Sequence, residues 1–271
     1  MLDVCYESAI AGVIPLNSRV YVGKPNDLFS REWDYDLGYR SLTSVIRKAR
    51  KASISAVFID MGAADALRRA ADADVAAMKP GRIRVGEWRQ RCYIVASSVN
   101  SILNGMVSAK LTVVLLDGVW RRGKTTEFVP VNTSTDYEFL DMPYDMPYDL
   151  GASSPKRYLV AGEYATSPVK LIIYGPAVNP AIIIGANTYQ VDVTVPDGGY
   201  MVVDPIDRTV MVTDAEGEIT NAFPKAHRGN GVGSGEYIFE RIPAGTSEVS
   251  WNNAFGFSVT IYDEEGEPAW S

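Results

Sequence analysis

The chain has 271 residues, 46% of them hydrophobic, and its 26 lysines and arginines against 33 acids give a net charge of −7. That length fits one large domain or two small ones, with enough apolar residues for an ordinary core. The acidic balance argues against chain-wide affinity for nucleic acid or an anionic membrane and leaves room only for a local basic patch.

Cys5 and Cys92 are the two cysteines. So few, so far apart, imply no disulfide framework and read as buried thiols. Met1–Glu7 has an early acid and no basic stretch, unlike a signal peptide. The longest apolar run, Leu111–Leu116, falls far short of a membrane span. The expectation is a soluble cytoplasmic product, with no membrane insertion, unless it leaves inside an assembly.

In chain order, Arg19–Gly23 alternates like a strand and is broken by Pro25-Asn26-Asp27. Arg31–Arg40 (REWDYDLGYR) mixes aromatic and charged residues and reads as a strand edge or an interaction loop; periodicity does not decide. Lys51–Asp60 reads as a strand with Ile54, Ala56 and Phe58 on one face. Ala63–Met78 is a helix: Leu67, Ala71, Val75 and Met78 recur at helical spacing, Asp65, Arg68, Arg69 and Asp72 take the other face, and Pro80-Gly81 ends it. Arg82–Val85 and Gln90–Ser97 come next as strands, Asn104-Gly105 is a hairpin-turn signal, and Ala109–Leu116 alternates again. This half reads as an α+β unit dominated by antiparallel strands. Arg82, Arg84, Arg89 and Arg91, with Glu87, lie along its strand edges and are candidates for inter-subunit carboxylate pairs or for a surface facing DNA.

Gly118–Thr125 (GVWRRGKT) matches the phosphate-cradling pattern G-x-x-x-x-G-K-[ST]. That chemistry needs the loop to run into a helix whose N-terminal amides hold the phosphates. The adjoining stretch Thr126–Asn132 is instead β-branched and carries Pro130. Trp120, Arg121 and Arg122 occupy positions where small residues would let a phosphate approach. Nucleotide binding is rejected on these grounds.

Phe139–Ser154 repeats Met-Pro-Tyr-Asp at Met142–Asp145 and Met146–Asp149. Each proline lacks an N–H and holds the preceding residue extended. The reading is a stiff linker over residues 139–155, anchored by Tyr144 and Tyr148, between domains at 1–138 and 156–271; the alternative is an ordinary surface loop.

The rest carries strand signals at short spacing: Val169–Tyr174, Ala181–Ile184, Tyr189–Val195, Tyr200–Asp204, Thr209–Thr213, Tyr237–Arg241, Glu248–Trp251 and Phe255–Tyr262. Turn chemistry separates them and none has a helical period, the pattern of an antiparallel β-sandwich. The single histidine, His227, sits in the glycine-rich Ala226–Gly235, which reads as a surface loop rather than a zinc or dinucleotide site. Asp263, Glu264, Glu265 and Glu267 read as a solvated turn and tail. No nucleophile stands with a base and an orienting group, so no catalytic, cofactor or metal residue is assigned.

The order of parts resembles the distal tail (Dit) proteins of long-tailed bacteriophages. The resemblance rests on the strand–helix–hairpin of Lys51–Leu116, the strand end Leu116-Asp117-Gly118-Val119-Trp120, the linker YDMPYDLG, the sandwich from Val169 and the closing Phe239–Trp251 (FERIPAGTSEVSW). It implies a mainly β protein without enzymatic activity or cofactor. Six N-terminal domains would close into a ring, each clasping its neighbour with a belt hairpin drawn here from Gly81–Leu116. A galectin-like C-terminal sandwich would hang outside. The ring would join the tail tube protein to tail tip or baseplate hub proteins in the virion, assembled in the host cytoplasm, and DNA would pass through without specific binding. A second reading is a carbohydrate- or receptor-binding sandwich with Trp251, Trp270, Tyr237 and Tyr262 as stacking faces; an NTPase using Gly118–Thr125 is a third.

Overall fold

The structure, a computed structural model, describes residues 3–16, 20–24, 26–130, 157–162 and 164–269. Two compact units divide the chain: residues 1–122 with 264–271, and residues 123–263. The linker expected at 139–155, with Tyr144 and Tyr148, lies outside the described residues. Every paired strand is antiparallel and one α-helix is present among the described residues, so the protein is mainly β, as its alternating segments imply.

The first unit contains β1 (Val4–Ser8), β2 (Gly12–Pro15), β3 (Val20–Lys24), a 3-10 turn at Asn26–Phe29, β4 (Asp34–Leu37), β5 (Leu42–Ile46), β6 (Arg50–Phe58), α1 (Met61–Ala76), β7 (Gly81–Val85), β8 (Trp88–Leu103), β9 (Met106–Leu115) and the start of β10 (Trp120–Phe128). Neighbours in its sheet run β2-β1-β7-β8-β9-β6-β3, and Arg121 of β10 pairs with Arg89 of β8. β4 and β5 pair with each other as a separate ribbon. Alternation buries Ala52, Ile54, Ala56 and Phe58 of β6 beside Val107, Ala109, Leu111, Val113 and Leu115 of β9. At the end of β8, Asn104 and Gly105 both adopt positive φ (49° and 79°), the geometry of a two-residue hairpin turn.

Helix α1 begins where the Asp60 side chain accepts from the Gly62 amide at 2.9 Å. Leu67 and Ala71 are buried as the spacing predicts, but Val75 and Met78 are exposed. The inward position in the last turn belongs instead to Asp74, which is fully buried. Its carboxylate accepts from the Tyr6 hydroxyl (2.6 Å), the Ser8 hydroxyl (2.9 Å) and the Ala9 amide (3.2 Å). Three neutral donors thereby bind the helix to β1.

The second unit contains the rest of β10, then β11 (Arg157–Ala161), β12 (Val169–Tyr174), β13 (Ala177–Val178), β14 (Ala181–Ile184), β15 (Asn187–Gln190), β16 (Thr194–Val195), β17 (Tyr200–Asp204), β18 (Thr209–Thr213), β19 (Ile219–Asn221), β20 (Gly245–Trp251) and β21 (Phe257–Glu265), whose last two residues fall in the first unit. One layer runs β19-β18-β17-β12-β21 and the other β11-β20-β14-β15. Inward residues of both layers, among them Leu171, Met201, Val259, Leu159, Ile182 and Val249, form one core, so the unit is a sandwich. Two expected strands differ. The stretch 189–195 is split between β15 and β16, and Tyr237–Arg241 is not a strand. Asn187 explains the second: its side chain donates to the Tyr237 carbonyl (3.0 Å) and accepts from the Tyr237 amide (3.1 Å), replacing a ladder partner.

Burial also sets an alkaline limit. The Tyr6 hydroxyl, the Cys92 thiol and the Tyr189 hydroxyl are pushed well above their ordinary 10.0, 9.0 and 10.0, each chiefly by burial, with the bond to Asp74 adding to the effect at Tyr6. The folded chain keeps these protons while the unfolded chain releases them at the ordinary values. Stability is therefore complete below the unfolded values and falls as pH rises above them. Urea midpoints should hold up to about pH 8 and drop steadily towards about pH 11. A flat profile across that range would contradict the burial of these groups.

Candidate assembly interface

On the outward face of β7 and β8 the candidate arginines stand in a lattice. Arg82 lies opposite Arg91, and Arg84 opposite Arg89. Like charges directly across a ladder repel, and acids of the same unit relieve them. Glu7 sits 3.7 Å from Arg84 and 3.3 Å from Arg89, and Asp3 lies 3.1 Å from Arg84. Arg84 Nε also donates to the buried Cys5 Sγ at 2.9 Å. Arg91 forks onto Asp117, with contacts of 2.6–3.1 Å. Asp117 receives Arg121 as well (2.7 Å), and Arg121 reaches Glu264 at 2.8 Å. With its side chain only 5% exposed, Asp117 is the hub of this network. Glu264, expected as part of a solvated tail, is one of its members. Arg82 is exposed. Sequence spacing found the arginines but not Asp117 or Glu264, which arrive from distant stretches of chain.

Gly118–Thr125 does not form a loop leading into a helix. From Trp120 it is strand β10, with the Trp120 side chain fully buried. Among the described residues no cluster of three or more metal-ligating side chains occurs, and no helix is long and apolar enough to cross a membrane. His227 pairs with Asp192 at 2.9 Å and, ahead of Gln190, holds the Asp192 carboxyl below its usual range. Of the aromatic residues considered as stacking faces, Trp251 packs edge-on to Phe128 and Phe257, and Tyr237 packs edge-on to Phe239. Trp270 lies outside the described residues.

Two apolar surfaces of the first unit are left open by the described residues. The first is the β4–β5 ribbon, in which Tyr35 faces Val45 and Leu37 faces Leu42. These four are 54%, 43%, 74% and 56% exposed. The opposite side of the ribbon carries Asp34, Asp36 and Ser44 together with Ile46, so it is the more polar of the two faces. At its base Arg47 stacks over Trp33 at 4.1 Å, and Lys48 pairs with Asp34. The second surface is a pocket between α1 and the far half of the β8–β9 hairpin, lined by Met61, Leu67, Val95, Val99, Ile102 and Val107 among others. Val99 and Ile102 are 58% and 63% exposed. From Tyr93 to Leu103, β8 pairs with β9 alone among the described residues.

Such a β-sheet unit followed by a sandwich is the fold of phage tail hub and baseplate proteins. The crystal structure of the SPP1 Dit (gp 19.1) protein, described as a paradigm of hub adsorption apparatus in phages infecting Gram-positive bacteria, is 9% identical, with 98% of this chain and 99% of that chain covered and a TM-score of 0.52. A chain of the phage P2 baseplate in its activated conformation with Ca is 10% identical, with 99% and 100% covered and a TM-score of 0.62. The same baseplate with Sr gives 11% identity, the same coverage and a TM-score of 0.62. No family model and no curated protein matches the chain.

Proposed function

We propose that this protein is a non-enzymatic structural component of a phage tail. In this reading six copies form a ring that joins the tail tube to the tail tip or baseplate. The observation that carries it is the match of fold over nearly the whole chain, both units included, to phage hub and baseplate proteins. The first unit forms the ring and the second, a galectin-like sandwich, lies at the periphery. The ring's partners are the tube protein on one side and tip or baseplate hub proteins on the other, and the site of action is the virion after assembly in the host cytoplasm. DNA passes through the ring without specific recognition. The arginines of β7 and β8 suit that role because Asp3, Glu7 and Asp117 already balance much of their charge. Electron microscopy of the assembled tail tests the reading. The expected result is a six-fold ring with the first unit lining the channel. A three-fold arrangement, or a channel lined by the sandwich, would overturn it.

A further inference from the structure

We infer that residues 264–268 form a strap that sets the β4–β5 ribbon, so that the ribbon takes its place only after the chain has passed through the sandwich. This strap does not depend on the ring reading; it concerns the order in which the first unit is completed. A two-stranded ribbon is at best marginally stable alone in water. Among the described residues β4 and β5 pair only with each other, and Tyr35, Leu37, Leu42 and Val45 join neither core cluster. What fixes the ribbon therefore acts at its base, on Trp33 ahead of β4 and Arg47 behind β5.

Two stretches of the first unit meet the stacked Arg47 and Trp33. One is the turn at Asp117 and Gly118: a Cβ added to Gly118 would stand 2.8 Å from the Arg47 Cβ. The other is the strap. Arg121 donates to Glu264 at 2.8 Å and to Asp117 at 2.7 Å, so strap and turn are tied together. The Arg121 and Glu264 side chains are each 18% exposed, and a charge-assisted bond so shielded is stronger than an exposed surface pair. Two residues on, a Cβ added to Gly266 would lie 3.1 Å from the Arg31 Cβ and 3.8 Å from the Arg47 guanidinium carbon. A side chain at this position would have to push Arg31 aside. Glu267 faces Arg31 at 3.9 Å, an exposed pair that adds little, and Pro268 is buried. Burial lowers the Arg47 and Arg50 guanidinium groups below their ordinary range. Glu264 counters it at Arg47, and Asp27, Glu32 and Glu267 counter it at Arg50.

Chain order gives this contact its consequence. The second unit, residues 123–263, lies between ribbon and strap in the sequence. The β6–β9 ladder and the core around α1 draw on residues 1–122 alone. The ribbon's base draws also on Glu264, Gly266 and Glu267. Contacts between residues far apart in sequence form late, because the intervening chain must first be closed into a loop. A partner that reads the set ribbon therefore reads a chain carried through to residue 268.

The test uses the full chain and hydrogen exchange read by mass spectrometry. In a variant carrying Glu264→Gln with Glu267→Gln, amides of residues 35–46 should exchange about tenfold faster than in the parent. The β11–β20 ladder should keep its parental protection, which also reports that the variant is folded. Gly266→Val should act in the same direction through crowding at Arg31, with no change of charge. Glu265→Gln, at an exposed neighbour, should leave the ribbon parental. In pulse-labelled refolding of the parent, residues 35–46 should gain protection no earlier than residues 257–262 of β21. Parental ribbon exchange in either strap variant would overturn the strap. Equal quickening in the ribbon and the β11–β20 ladder would overturn it too, since the loss would then be general, as would a quickened ribbon in Glu265→Gln. A ribbon protected before β21 during refolding would overturn the order of completion.

Discussion

Replacing Phe257 by alanine is expected to cost the second unit about 3–5 kcal/mol, the range for deleting a fully buried aromatic ring. Phe257 is completely inaccessible at the start of β21. Its ring stacks on Phe128 with centroids 4.8 Å apart and planes within 6°, meets Trp251 edge-on at 5.0 Å and touches Phe255 at 6.0 Å. Around this cluster Trp251 Nε1 donates to the Phe255 carbonyl at 3.1 Å, and the Arg157 guanidinium lies 5.2 Å over the Trp251 ring. Removing the central ring leaves a void lined by three aromatic faces that rigid strands cannot close. Calorimetry should show a melting temperature lower by about 10 °C or more, with loss of the near-ultraviolet signal of Trp251. Phe257→Leu keeps most of the volume and should cost about 1–2 kcal/mol. Equal effects from the two substitutions would mean that stacking geometry rather than packing volume governs the cluster.

Much of the sandwich is legible in the sequence because its information is local. Val169–Tyr174, Ala181–Ile184, Tyr200–Asp204 and Thr209–Thr213 coincide with observed strands. Each alternates and each is closed by residues that can turn. Tyr237–Arg241 has strand-forming residues too, but Asn187, fifty positions earlier, takes its hydrogen bonds, and no window of sequence reveals that. The same limit governs the interface. Arg91 is visible as an arginine on an alternating segment, whereas its partner Asp117 becomes apparent only when β8 and the start of β10 are brought together. For β4 and β5 the ambiguity of Arg31–Arg40 has a physical origin: among the described residues the ribbon's apolar side chains join neither core cluster, so amphipathicity there does not report a core. The pocket is formed by a helix face and a hairpin that are unremarkable separately.

Asp74→Ala should be the most damaging polar substitution, at about 3 kcal/mol or more, because hydrogen bonds to a buried carboxylate are strong and their donors would be left without partners. The side chain is 0% exposed, and Tyr6, itself fully buried, points its hydroxyl at it from 2.6 Å. No larger residue can relax into the space beside that hydroxyl, since even a Cβ at Gly81 would stand only 2.5 Å from it. Ser8 cannot turn away freely either, because its hydroxyl also accepts from the amides of Ile10 (3.2 Å) and Ala11 (2.9 Å). Asn at this position keeps one acceptor and turns an N–H toward the remaining donors, so Asp74→Asn should lose about 1–2 kcal/mol. α1 forms one wall of the apolar pocket, and the Asp74 bonds hold its last turn to β1. Hydrogen exchange in Ala71–Ala76 should therefore quicken in Asp74→Ala while the β11–β20 ladder stays protected. A variant with parental stability and parental exchange in α1 would show that the carboxylate is dispensable and that apolar packing alone seats the helix.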